Sequence, residues 1–143
     1  MNILITAATT VQAYQVERLI GSGEIMVFLG DSAELPQFML KNSKLIKIPA
    51  GSSPSFAHEL LTICLDKEIA KVYPLRKEEV KALAEARTLF EEYGIKVMAP
   101  SLETIKSLEM RSGPGVIRID EEAGMLVVET GSAVNGVAIF TVD

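Results

Sequence analysis

The chain has a single cysteine, Cys64, so no disulfide can form within it. It has a single histidine, His58, and a lone imidazole cannot assemble a metal site. No apolar run approaches the roughly 18 residues of a membrane span. The N-terminus lacks a basic segment followed by an apolar one, so no secretory leader is expected. Cations are outnumbered, 14 Lys and Arg against 19 Asp and Glu, for a net charge of −5. That balance argues against nucleic acid or an anionic membrane as a partner, because both need a basic face. Lys41, Lys44 and Lys47 sit close together and read as a solvated edge. A cytoplasmic protein fits these absences.

One more absence is local. Asn2–Thr6 reads as a buried strand, and Ala7-Ala8-Thr9-Thr10 then turns into a helix. A doubly wound α/β domain normally puts its phosphate-binding glycines at this turn, and here there are none. What is present is ordinary for a globular domain. The 143 residues are 48% apolar and 23% charged, enough for one domain that buries roughly two thirds of its unfolded surface.

Along the chain, short apolar runs alternate with helical periods. Val11–Ile20 is a helix, capped by Thr9 or Thr10 and stopped by Gly21-Ser22-Gly23. Ile25–Leu29 is a second strand, ending at Gly30-Asp31-Ser32. A short helix is expected over Leu35–Lys41, with Pro36 in its first turn. Leu45–Ile48 is a third strand, and Ser53 or Ser55 caps a helix over Phe56–Lys67. Ala70–Leu75 is a fourth strand, Glu78–Tyr93 one long helix closed by Gly94, Ile95–Met98 a fifth strand and Ser101–Met110 a last helix. The alternation predicts a Rossmann-like parallel five-stranded sheet with helices on both faces. Strand one is central, with strands two and three on one side and four and five on the other.

The pattern changes at Arg111-Ser112-Gly113-Pro114-Gly115. Val116–Asp120, Gly124–Thr130 and Val137–Val142 read as strands separated by turns at Glu122–Gly124 and Gly131–Gly136, with no helix between. We therefore expect residues 1–110 to form the α/β domain and 111–143 an antiparallel β meander, packed on that body or on a second copy. Val137, Ile139 and Thr141 point one way and Ala138, Phe140 and Val142 the other, so both faces of the last strand need covering. Self-association through these C-terminal strands is one expectation.

Residues 1–105 resemble the N-terminal, pre-ATP-grasp domain of ATP-grasp ligases. The likeness points to carbamoyl-phosphate-synthase large-subunit-like proteins and carboxylate–amine ligases. It rests on MNILIT at the start, Tyr14 with Leu19, Asp31-Ser32 with Pro36, and Lys47-Ile48-Pro49. Further along it rests on Leu60–Cys64, Val72–Leu75, and Leu89–Val97 followed by Ser101. None of these is a catalytic signature. The family's Gly-rich turn is replaced here by Ala7–Thr10, and many members carry an acid where this chain has Arg76-Lys77. The resemblance implies a front domain whose ATP and metal ligands would lie in a further domain, so none is assigned to a residue here.

In such a sheet the carboxyl ends of the strands collect Ala8, Thr9, Thr10, Asp31, Ser52 and Arg76. One reading is a pocket for a small anionic ligand, with amides from the helix start and charge from Arg76. The other is a vestigial crevice, since Cβ atoms at positions 7–10 hold a pyrophosphate off the backbone. Asp31 stands where a dinucleotide fold would hold a ribose; without the preceding glycines it reads as a helix cap or loop residue. His58 is expected at the surface, Cys64 as a buried inert thiol, and Glu121-Glu122 as a solvated turn. No cofactor, metal or catalytic residue is assigned. The leading expectation is a stand-alone, non-catalytic ATP-grasp-derived domain acting by protein association or small-ligand binding. The rival is the substrate-binding component of a split ligase whose ATP-binding half is a separate chain; a small metabolite-sensing module is a third.

Overall fold

Five short strands carry the body. A computed structural model describes residues 1–21, 23–35, 44–129 and 136–143. Strands β1 (Asn2–Ile5), β2 (Met26–Asp31), β3 (Leu45–Lys47), β4 (Ile69–Tyr73) and β5 (Lys96–Val97) form an all-parallel sheet in the order β3-β2-β1-β4-β5. Helices α1 (Val11–Ile20), α2 (Phe56–Asp66), α3 (Lys77–Glu85), α4 (Arg87–Glu92) and α5 (Leu102–Ser107) supply the connections. The expected strand order and the Rossmann-like class are what the structure has. Past Leu35, the helix expected over Leu35–Lys41 falls outside the described residues, as does most of the turn expected at Gly131–Gly136.

Period-two alternation in the central strands splits the core in two. Leu4, Phe28 and Val72 face α2, α3 and α4, where they meet Phe56, Leu60, Leu83 and Phe90. Ile3, Ile5 and Tyr73 face the other way, toward Ala13 and Val16 of α1. Among the described residues α1 shares that second face with the C-terminal strands: Leu126, Val128, Ala138 and Phe140 belong to the same cluster.

Those strands are β6 (Met110–Arg111), β7 (Val116–Asp120), β8 (Met125–Glu129) and β9 (Val137–Phe140), in the order β6-β9-β8-β7. β7, β8 and β9 are antiparallel as expected, but β6 pairs parallel with β9. The sheet is therefore mixed, and it begins inside what the sequence suggests is the end of a helix. β9 lies inside its sheet, and Ala138, Ile139, Phe140 and Thr141 are all buried within one chain. The covering that the two-sided apolar strand requires is thus supplied by the same chain.

A second difference is a break in the long helix. α3 and α4 meet at Ala86, whose φ and ψ of −94° and 8° leave helical space. The bend seats Phe90 in the core and lets Arg87 donate to the Ala99 carbonyl. Helical periodicity counts residues per turn and carries no sign of such a bend.

Candidate functional site

The turn after β1 lacks glycine yet makes a glycine-like turn. Ala7 is fully buried with φ +57°, in the left-handed region where a Cβ costs about 1–2 kcal/mol. Its carbonyl accepts from the Thr10 amide at 2.9 Å and the Thr10 hydroxyl at 2.7 Å. Thr10 Oγ1 in turn accepts from the Ala13 amide, so Thr10 is the N-cap of α1. Ala8 is buried and donates to the Gly30 carbonyl at 3.0 Å, which ties the turn to β2.

Asp31 is where these connections converge. It is the last residue of β2 rather than a loop or cap residue, and its side chain is fully buried. Oδ2 accepts from the Thr9 amide at 2.9 Å and the Thr9 hydroxyl at 2.6 Å. Oδ1 accepts from the Ala33 amide at 3.1 Å. Arg76 Nη2 reaches both oxygens, at 2.9 and 3.0 Å. Burial by itself would raise this carboxyl; the Thr9, Ala33 and Arg76 donors outweigh it and hold the group below its ordinary 3.8. The β1–α1 turn amide that a bound phosphate would use is thus already given to the protein's own carboxylate.

A second carboxylate lies beneath the first. Glu79, in the first turn of α3, is fully buried. Its Oε1 accepts from the Thr6 hydroxyl at 2.6 Å and the Arg76 amide at 3.3 Å, and Thr6 Oγ1 accepts from the Leu75 amide at 2.8 Å. Oε2 has no partner, nor does Arg76 Nε. Burial pushes the Glu79 carboxyl up to about 7, against the pull of Thr6 and Arg76. Gly51 keeps the neighbouring loop close: a Cβ there would stand 2.6 Å from the Glu79 amide nitrogen.

The C-terminal tail closes the edge. The Val142 amide donates to the Leu75 carbonyl at 2.7 Å, and Asp143 Oδ1 accepts from the Lys77 amide at 2.9 Å. The first amide of α3 therefore also faces a carboxylate of the chain itself.

Of the residues singled out by sequence, the structure brings together Thr9, Asp31 and Arg76, with Ala8 and Thr10 shaping the turn. Ser52 is exposed and stands outside this network. Sequence reasoning missed Thr6, Glu79 and Asp143. Glu79 had a usable signal, since it precedes Leu83 by four residues and so lies on the inner face of α3. His58 is exposed, and burial pushes the Cys64 thiol up to about 12, as an inert buried thiol requires. Among the described residues no group of His, Cys, Asp and Glu could hold a metal ion, and no helix is long and apolar enough to cross a membrane.

No protein-family model and no curated protein matches the chain. Among solved structures it is similar to dTDP-glucose 4,6-dehydratase from Bacillus anthracis str. Ames in complex with NAD, with 12% identity and a TM-score of 0.48. The match covers 93% of this chain and 45% of the dehydratase, so the chain spans less than half of that protein's length.

Proposed function

We propose that the chain is a non-catalytic α/β domain that acts by protein association at the carboxyl edge of its parallel sheet. The observation that carries this reading is the saturation of that edge. Asp31 takes up the Thr9 amide and the Arg76 guanidinium, and Asp143 takes the first amide of α3. A phosphate-bearing ligand would have to displace two carboxylates and then face them, at a cost of several kcal/mol for the buried one. Exposed apolar side chains also stand at this edge. Val11 and Leu102 begin the helices that leave β1 and β5, and both are exposed. Such residues suit a protein surface better than a small polar ligand.

Sedimentation velocity over a wide concentration range tests this. Association that weakens in the Val11→Glu, Leu102→Glu variant supports the reading. Strictly monomeric protein at the highest concentration, alone and with candidate partners, would overturn it.

The resemblance of residues 1–105 to pre-ATP-grasp domains supports a second reading, in which the partner at this edge is a separate ATP-grasp chain of a split, carbamoyl-phosphate-synthase-like ligase. Carboxylate-dependent ATP turnover on mixing this chain with an ATP-grasp chain encoded beside it would favour it. No turnover with any carboxylate would end it.

A further inference from the structure

A cavity of about 320 Å3 opens at the opposite end of the sheet, between the body and the C-terminal strands. Its walls are the aliphatic side chains of Ile3, Leu19, Ile20, Ile25 and Ile119, with Met1 beside them, whose terminal ammonium donates to the Glu24 carbonyl at 2.9 Å. Its polar end is made by Lys71, Tyr73 and Glu121.

The placement of Lys71 comes from an irregularity in β4. Pairing with β1 sets Asn2 opposite Ile69 but Ile3 opposite Lys71, leaving Ala70 as an extra residue. Without that bulge Ile69, Lys71 and Tyr73 would share a face. With it, Ile69 packs among Phe56 and Leu60 on the helical side, while Tyr73 faces Ile3 and Phe140 with Lys71 beside it. Bulges of this kind are a common way to re-aim a side chain near a site.

The result is a cation in an aliphatic cavity. The Lys71 side chain is only 15% exposed. Its Nζ lies 5.4 Å from the Tyr73 ring centroid and 3.1 Å from Glu121 Oε2. Burial alone would lower this ammonium; Tyr73 and Glu121 outweigh it and raise it, so the cation is retained. Glu121 is held differently. Its side chain is 62% exposed and follows Asp120, which accepts from the Gly124 amide at 2.8 Å in a tight turn. An exposed carboxylate paired to one lysine contributes little, roughly 0–1 kcal/mol, and can return to water.

We propose that this cavity binds a small monocarboxylate with a short aliphatic or aryl tail. The carboxylate takes the place of Glu121 on Lys71 Nζ, beside the Tyr73 ring, and the tail lies against Ile3, Leu19, Ile25 and Ile119. The volume is at the small end of ligand cavities, which run roughly 300–1,000 Å3. One lysine with a carboxylate beside it in an otherwise aliphatic wall suits a monoanion better than a phosphate dianion. The site is independent of the carboxyl-edge crevice, so its failure leaves the association reading standing.

The test is a titration with hexanoate followed by amide NMR shifts, with hexanamide as the uncharged control. Hexanoate is expected to saturate and to shift residues around Ile3, Lys71 and Ile119. Hexanamide should bind about tenfold more weakly or worse, as should hexanoate to Lys71→Met. Glu121→Gln removes the internal competitor and should bind hexanoate about two- to fivefold more tightly. No saturable shift with hexanoate, equal binding of hexanamide, or weaker binding by Glu121→Gln would each overturn the proposal. Should Lys71→Met fail to fold, the amide control and Glu121→Gln decide it.

Discussion

Glu79→Gln is the perturbation that reads the buried edge most quantitatively. Glu79 is fully buried and its carboxyl is pushed up to about 7 from an ordinary 4.5. The folded state therefore binds a proton more tightly than the unfolded chain does. Below about pH 4.5 both states are protonated and the group is neutral in the balance. Between 4.5 and 7 the unfolded chain releases its proton first, so stability falls as pH rises; above 7 the loss is complete. Taking one unit as about 1.4 kcal/mol, the full loss is about 3 to 4 kcal/mol, most of which falls between pH 5 and pH 8. Glutamine keeps a carbonyl oxygen for Thr6 Oγ1 and the Arg76 amide and does not titrate. Urea unfolding of both proteins at the two pH values gives a double difference in which every other titrating group cancels. The variant should gain about 2 to 3 kcal/mol on the wild type in going from pH 5 to pH 8. A difference independent of pH would mean that Glu79 ionises normally in the fold, and the description of the buried edge would be wrong.

Three further outcomes are expected. Arg76→Met leaves the buried Asp31 carboxylate without its cation and should cost about 3 kcal/mol in urea unfolding at pH 7. Because Asp31 is held below 3.8, that contribution is present above about pH 4 and is lost as pH falls through the folded-state value, so the gap between variant and wild type should close in acid. Gly51→Ala drives a Cβ against the Glu79 backbone and should lower stability by about 1 to 3 kcal/mol, read as a lower melting temperature. Asp143→Ala strips the acceptor from the Lys77 amide, which should cost about 1 kcal/mol and speed exchange of that amide.

How much of this was legible depends on the length scale of each signal. The parallel sheet and its order follow from five apolar runs separated by helical periods, a pattern tens of residues long. β6 is two residues, Met110 and Arg111, and takes its extended form from β9, where Met110 pairs with Ile139 and Arg111 with Phe140; no local pattern marks it. The position of Asp31 at a strand's carboxyl edge could be read, but not its burial, because burial depends on Arg76 arriving 45 residues later. Glu78 and Glu79 look alike to a dipole argument; only the register with Leu83 separates the outer from the inner. Asp143 could not be linked to Lys77 at all, since that contact needs the C-terminal sheet already packed on the body. The turn shows the same divide: four residues without glycine are visible in sequence, while the left-handed Ala7 is visible only in structure.

The proposed function rests on a carboxyl edge whose Thr9 and Lys77 amides are taken up by Asp31 and Asp143, which would close it to a nucleotide phosphate. The Thr9 amide, which donates to Asp31 at 2.9 Å, is the reporter. Amide NMR spectra of the wild type should be recorded through a titration with ATP, and separately with NAD, with and without magnesium. The Thr9 and Lys77 resonances are expected to stay in place to millimolar ligand. A saturable shift of the Thr9 resonance, abolished by Arg76→Met, would contradict this.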